Sequence, residues 1–236
     1  MPSRKSPGHR PSPALVLFDI DGTLIRRAGP HHRQALVEAV RRVTGLESTT
    51  DSIPVQGMLD PDILAIMMKH AGARPGQIRE AMPELIRTAQ NVYSRTCPDL
   101  QRRVCPGARR VLRALNRRGI PVGLVTGNLT RIAWKKMEQA GLRSYFRFGA
   151  FSETAKDRAG LVRRAIREAR REKWIDGSAT ISLVGDHPND VRAARANGIR
   201  AIAVATGIET REVLAAEKPE LLLDDRRSVS LEQLVD

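Results

Sequence analysis

The feature that most constrains the fold is a short, uninterrupted apolar run, ALVLF at residues 14–18, which stops on Asp19 and a glycine turn. An apolar run without alternation fits a strand buried on both faces, and it places Asp19 at the strand's carboxyl end. Later runs repeat the theme: IPVGLVT at 120–126, ATISLVG at 179–185 and IRAIAVATG at 199–207. Amphipathic helical patterns accompany them at 107–118, with Val111, Leu112 and Leu115 on one face, and at 130–140, 158–172 and 188–197, the last opening on Pro188. Strands alternating with helices imply an α/β fold, a Rossmann-like parallel sheet with helices on both faces. In such sheets ligands bind beyond the carboxyl ends of the strands. Asp19, Thr126 and Asp186 all fall at or just after expected strand ends, so the functional site is expected there.

Residues 27–104 interrupt the alternation without a strand pattern. One helix is expected over 31–44, with Leu36, Val40 and Val43 on one face. A second is expected to open at Asp60, read as an N-cap before Pro61, and to run through Ile63, Leu64 and Met67. A third covers 76–96, broken or restarted at Pro83. The expected organisation is a disordered basic tail at 1–13, an α/β core of 14–26 and 105–236, and a helical cap of 27–104 standing over the strand ends. Met58, Met67, Met68 and Met82 are expected in the cap core, and Trp134 and Trp174 as packing residues on helices. His31 and His32 read as a solvated helix start.

Composition narrows the function classes. No apolar run in the 236 residues approaches the roughly 20 needed to span a bilayer. The amino-terminal MPSRKSPGHRPSP lacks the apolar stretch of a secretory signal. Cys97 and Cys105 are too few for a disulfide framework and lack metal-site spacing, so a reducing cytoplasm is the expected location. The net charge of +14 raises nucleic-acid binding, but the excess is spread at helical spacing through RRVTG, RRVLRALNRRG and LVRRAIREARREK. With only 3% aromatic residues there is little to stack on bases, and these stretches read as solvated faces. A basic surface also attracts small anionic substrates.

Three elements carry chemistry. Asp19-Ile20-Asp21-Gly22-Thr23-Leu24 follows a buried strand. Two carboxylates one residue apart can divide phosphoryl transfer, one attacking phosphorus and the other moving protons. A calcium loop with the same DxDG start needs a preceding helix and a Glu at its twelfth position, where this chain has Pro30. Thr126-Gly127-Asn128, after the second apolar run, offers a hydroxyl and backbone N–H groups to phosphate oxygens. Gly185-Asp186-His187-Pro188-Asn189-Asp190 offers two further carboxylates to a hard cation such as Mg2+, although Asp190 also suits the first turn of a helix.

In this order the three elements resemble the haloacid dehalogenase superfamily, in particular its phosphoglycolate-phosphatase-like members with a helical C1-type cap. The resemblance spans about residues 14–225 and includes CPGARRVLRAL and GLVTGN. It implies Asp19 as nucleophile, Asp21 as general acid/base and Thr126, with Gly127 and Asn128, as the phosphate-binding segment. It implies Mg2+ held by Asp19, the backbone carbonyl of Asp21 and Asp186, supported by Asp190. It also requires a cation between the second and third elements; FSETAKDRAGLVRRAI offers Lys156, with Val162 and Ala165 six and nine residues on, and Arg158 as the alternative. His187 stands where similar proteins often have Thr or Ser.

The expected activity is hydrolysis of a small phosphorylated metabolite through an aspartyl-phosphate. A sugar-phosphate mutase shares that intermediate. A phosphonate-cleaving enzyme needs a cap lysine, for which Lys69 is the one candidate between 27 and 104. The alternative from another class is a basic nucleic-acid-binding protein on a vestigial phosphatase fold. Substrate and oligomeric state are not legible in the sequence.

Overall fold

The computed structural model describes residues 11–26, 29–225 and 230–235. Six parallel strands form one sheet in the order β3-β2-β1-β4-β5-β6: β1 Ser12–Phe18, β2 Val122–Val125, β3 Phe148–Ala150, β4 Ile175–Gly185, β5 Arg200–Val204 and β6 Leu221–Leu223. From β1 the chain builds outward to β2 and β3, then returns to the other side of β1 for β4, β5 and β6. The order therefore reverses at β1, and the crevice beyond the carboxyl ends of β1 and β4 is the position that a doubly wound sheet offers to a ligand.

Alternation along β1 feeds two cores. Val16 and Phe18 pack with α4 (Ala108–Arg117), α5 (Thr130–Gln139) and Leu234 of the terminal α9 (Glu232–Val235). Leu15 and Leu17 face α6 (Arg158–Arg171), α7 (Pro188–Arg195) and Leu214 of α8 (Arg211–Ala216). The sheet is covered on both sides, which is why its strands read as continuous apolar runs.

The remaining helices, α1 His31–Thr44, α2 Asp60–His70 and α3 Pro75–Thr96, form an insertion with its own core. Leu36, Val40, Leu64, Met67 and Met68 are buried there, with Met58 and Met82 packed at its edge. Leu129 and Ile132, beside and on α5, complete that core. Two crossing strands of chain join the insertion to the sheet domain. Arg26 N–H donates to the Arg103 carbonyl at 2.7 Å and Cys105 N–H to the Leu24 carbonyl at 2.9 Å, around an antiparallel bridge of Ile25 and Val104.

Several expectations shift. β1 begins at Ser12, inside the segment read as tail; residues 1–10 of that tail lie outside the described residues. β3 and β6 were not expected: each has three residues at an edge of the sheet, too short for a periodicity to register. Trp174 lies just before β4 rather than on a helix and packs against Phe148 at 5.0 Å between ring centroids. Asp60 is not a cap; Leu59 occupies that position, and the Asp60 carboxylate reaches across to the sheet domain. Pro83 lies within a continuous α3. Its ring is exposed, so the carbonyl deprived of a donor can be met by water. Replacing Pro83 with Ala restores an amide donor and removes the ring clash, and is expected to raise stability in urea unfolding by up to about 3 kcal/mol. An unchanged or lower midpoint would mean that the packing of α3 depends on the proline.

Candidate active site

The three expected elements meet at the carboxyl edge of the sheet. Asp19 follows β1, Thr126 follows β2 and Asp186 follows β4, and β1 pairs with both of the others. Carboxylate oxygens of Asp19, Asp186 and Asp190 all lie within 4.8 Å of one another, and all three residues are buried. Asp190 reaches the trio from the first turn of α7, where its carboxylate also accepts the His187 backbone N–H at 3.2 Å.

Glycines make room for this convergence. A Cβ on Gly22 or Gly207 would strike the Asp186 carboxylate, and one on Gly185 would strike Asp190. Gly22 also has φ of 81°, a conformation open to glycine at little cost. The Thr206 hydroxyl donates to the Gly22 carbonyl at 2.6 Å, and the Thr23 hydroxyl donates to Asp186 at 2.6 Å. These bonds lock the turn after β1 against the loops after β5 and β4.

Three buried carboxylates at this spacing repel one another. Burial raises the Asp19 carboxyl to about 6 against the pull of Arg158, with Asp190 and Asp21 adding to the rise. Burial, Asp19 and Asp190 push Asp186 well above the usual range, and burial raises Asp190 as well. The one buried cation touching the trio among the described residues is Arg158, whose Nη1 lies 2.5 Å from Asp190 and 3.3 Å from Asp19. Burial works against its charge, but Asp190, Asp19 and Asp186 keep the guanidinium firmly protonated. Lys156, the preferred cation in the sequence, is exposed at the surface before α6 and does not line the cavity.

Asp21 stands apart from the trio. Lys136 Nζ donates to its two carboxylate oxygens at 2.7 and 2.6 Å and to Asn128 Oδ1 at 2.5 Å, and Asn128 Nδ2 donates to Asp21 at 2.9 Å. Burial alone would raise the Asp21 carboxyl; Lys136, His32 and the two side-chain hydrogen bonds outweigh it and hold the group below its ordinary value. Asn128 also donates to the Thr126 hydroxyl oxygen at 2.9 Å from its side chain and at 3.3 Å from its backbone. Both bonds arrive at that oxygen and leave its own proton unused; Thr126 itself is fully buried, and its neighbours Gly127 and Asn128 are the ones that line the cavity.

Lys136 and His32 carried no signal strong enough in the sequence reading. Lys136 lies in the stripe of α5 that includes Ile132, Ala133 and Met137, and a charged residue on an apolar face was the clue available. His32 is not a solvated helix start: it is half-buried, 3.0 Å from Asp60 and 3.2 Å from Lys136 Nζ. Asp60 in turn accepts the Leu129 backbone N–H at 2.8 Å, so this network joins α1 and α2 to the sheet domain. The opposite wall is tied by Asn189 Nδ2 donating to the Gly57 carbonyl at 3.0 Å. Between these contacts lies a cavity of about 900 Å³, lined by Asp19, Asp21, Gly127, Arg158 and Asp186 below and by His32, Leu36, Met58 and Ile63 above.

A family model described as haloacid dehalogenase-like hydrolase matches residues 13–198. The chain belongs to that family. Among curated relatives, the phosphoglycolate phosphatase of Pseudomonas fluorescens (strain Pf-5) is 27% identical over 221 residues, covering 92% of this chain and 78% of the relative. The phosphoglycolate phosphatase of Synechococcus elongatus is 31% identical over 115 residues, covering 48% of this chain and 51% of its own. The fold matches a crystal structure of a predicted phosphoglycolate phosphatase from Haemophilus somnus 129pt, with a TM-score of 0.66 and 19% identity over 92% of this chain and 96% of that one. It also matches CbbY from Rhodobacter sphaeroides, crystallised with xylulose-(1,5)bisphosphate, with a TM-score of 0.70 and 20% identity over 94% and 99%. Among the described residues, no helix of this haloacid dehalogenase-like hydrolase is long and apolar enough to cross a membrane.

The carboxylate trio makes a stability prediction. Asp19 binds its proton more tightly in the fold, so its contribution is present below its ordinary value of 3.8 and is lost as pH rises through about 6. A divalent cation held by the trio would relieve the same repulsion and compete with the proton. Magnesium is therefore expected to raise the melting temperature more at about pH 7.5 than at about pH 5. An equal shift at both would show that the ion binds elsewhere. A second prediction concerns Lys136. Its replacement by Met leaves Asp21 and Asn128 without their partner and is expected to cost about 1–3 kcal/mol in chemical denaturation. That range is below the cost of an enclosed pair, because the Asp21 side chain is 42% exposed to the cavity and is screened there.

Proposed function

We propose that this enzyme is a magnesium-dependent phosphatase that hydrolyses a small phosphate monoester through an aspartyl-phosphate on Asp19. The observation that carries this reading is the buried Asp19–Asp186–Asp190 trio beside Arg158, with the separately anchored Asp21 two residues beyond the nucleophile. The trio fits the ion: three oxygen donors with raised carboxyl groups, in a cradle that a Cβ on Gly22 or Gly207 would fill, suit a hard divalent cation. Asp19, Asp186, Asp190 and the backbone carbonyl of Asp21 are the groups proposed to hold it. When bound, Mg2+ supplies positive charge that offsets the repulsion between the carboxylates and the incoming phosphate.

The chain's own residues perform the chemistry. Thr126 O–H and the N–H groups of the Gly127–Asn128 turn bind the phosphate oxygens, and Arg158 holds Asp19 in line while neutralising the transferring group. Asp19 attacks phosphorus; the P–O bond to the alcohol breaks, and the leaving oxygen takes a proton from Asp21. Water then attacks the aspartyl-phosphate, giving its proton to Asp21, and inorganic phosphate departs with Asp19 regenerated. Lys136 stabilises the ionised form that Asp21 holds between the two halves. The helical insertion acts as a cap that limits access of bulk water.

Lys69, the candidate Schiff-base lysine of a phosphonate-cleaving enzyme, is exposed on α2 and does not line the cavity, which favours the phosphatase. The cytoplasm and a phosphorylated metabolite remain the proposed setting and substrate class. Replacing Asp19 with Asn is expected to lower turnover of an aryl phosphate by about 10⁴-fold or more while the circular dichroism spectrum is preserved. Magnesium-dependent turnover retained in that variant would remove Asp19 from its role. A chelator is expected to stop the wild-type reaction, and added Mg2+ to restore it.

A further inference from the structure

The partners of Lys136 use every donor it has. An ammonium carries three N–H donors and no acceptor. Lys136 Nζ meets three groups: the Asp21 carboxylate at 2.6 and 2.7 Å, Asn128 Oδ1 at 2.5 Å and His32 Nδ1 at 3.2 Å. Asp21 and Asn128 belong to the sheet domain, whereas His32 stands in the first turn of α1, in the insertion. A ring nitrogen that faces an ammonium can only accept, so the imidazole proton sits on Nε2 and is donated to Asp60 Oδ2 at 3.0 Å. The same oxygen accepts the Leu129 N–H at 2.8 Å, at the start of the helix that carries Lys136. Tyr93, fully buried, packs edge to face against the imidazole with ring centroids 5.6 Å apart. Each helix of the insertion contributes to this setting: His32 from α1, Asp60 from α2 and Tyr93 from α3.

We infer that His32 is a positioning residue for the reaction: by accepting the third donor of Lys136 it fixes the ammonium, and through it the Asp21 side chain that moves protons. This inference rests on the phosphatase reading and deepens it. A lysine side chain is a flexible stem with three rotatable donors, so two partners leave its head free to turn. Asp21 needs the restraint, because its side chain is 42% exposed to the cavity and its carboxylate is otherwise held by the 2.9 Å bond from Asn128. With His32 removed, the third N–H has no acceptor among the described residues, and the ammonium can swing toward the cavity with the Asp21 carboxylate. A proton donor displaced in this way no longer meets the leaving oxygen in line. His32 acts through Lys136 and not on the reacting atoms.

The test uses two phosphate esters of similar size whose leaving oxygens differ in basicity. 4-Nitrophenolate departs without a proton, whereas the alkoxide of benzyl phosphate needs one from Asp21. For wild type and His32→Leu, kcat/KM is measured on both, since it reports the step that forms the aspartyl-phosphate. The variant is expected to lose about tenfold or more on benzyl phosphate while 4-nitrophenyl phosphate changes little. A ratio of the two esters equal to that of wild type would overturn the positioning role, because a merely structural defect lowers both alike. Nitrogen-15 NMR of the wild-type protein at about pH 8 is a second measurement that needs no variant to fold. His32 is expected as the neutral Nε2–H tautomer; a proton on Nδ1 would face the ammonium and overturn the contact with Lys136, and the role with it. If wild type turned over neither ester, the phosphatase reading would fail by itself, and the tautomer would still decide whether His32 completes the set of acceptors around Lys136.

Discussion

The mutual repulsion of Asp19, Asp186 and Asp190 is the constraint around which the rest of the site is built. Three carboxylates buried this close are unfavourable by themselves, and the fold holds them together by removing alternatives. β1 and β4 are paired along their length, so the residues leaving their carboxyl ends have nowhere else to go. Gly22, Gly185 and Gly207 remove the side chains that would keep the carboxylates apart. Arg158 contributes one positive charge from the first turn of α6 and leaves the trio short of neutrality. A site with surplus negative charge, oxygen donors and a wall of glycines is suited to a hard cation. Burial, with the like charges of Asp190 and Asp21 added, raises the Asp19 carboxyl against the pull of Arg158.

Asp21 shows the opposite solution one residue pair away. Its carboxylate is neutralised by a lysine whose side chain is almost wholly buried, and Asn128 bridges that pair to Thr126. Two carboxylates two positions apart thus acquire different properties, one raised by burial beside like charge and the other lowered by an ammonium. Separation of this kind divides acid and base roles between neighbouring groups. The lysine also faces His32, which meets Asp60, which accepts an amide of the sheet domain. The position of the helical insertion is therefore registered on the same network that fixes Asp21.

The sheet's inner strands were legible because burial on both faces writes a continuous apolar run, as in ALVLF and IRAIAVATG. The carboxylates at their ends followed from that placement. β3 and β6 escaped because three-residue edge strands carry too little pattern, and Asp60 was misread because Asp before Pro is locally the signature of a cap. Its actual partner, the Leu129 amide, is 69 residues away. Lys136 and Arg158 show the same limit. Each contacts an aspartate more than 100 residues distant, at 115 positions from Asp21 for the lysine, and tertiary placement alone separates Arg158 from the exposed Lys156. Local spacing favoured the wrong neighbour because spacing along a helix does not say which side chain turns inward.

Charge in so basic a chain is informative only where it is left over. Many arginines lie on solvated faces or meet a nearby acid, as Arg41 and Arg42 do with Glu38, and these explain much of the +14 without any partner. At the cavity the accounting differs: Asp186 is met by the Thr23 hydroxyl with no ion pair of its own, and Arg26, Arg33 and Arg103 stand exposed at the hinge side without an ion pair among the described residues. Their backbone setting gives this weight: Arg26 and Arg103 are held in adjacent positions by the chain crossing itself, so their proximity does not depend on an acidic partner. Asp19 and Asp186 of the carboxylate trio, by contrast, stand at strand ends that the pairing of β1 with β4 holds in register.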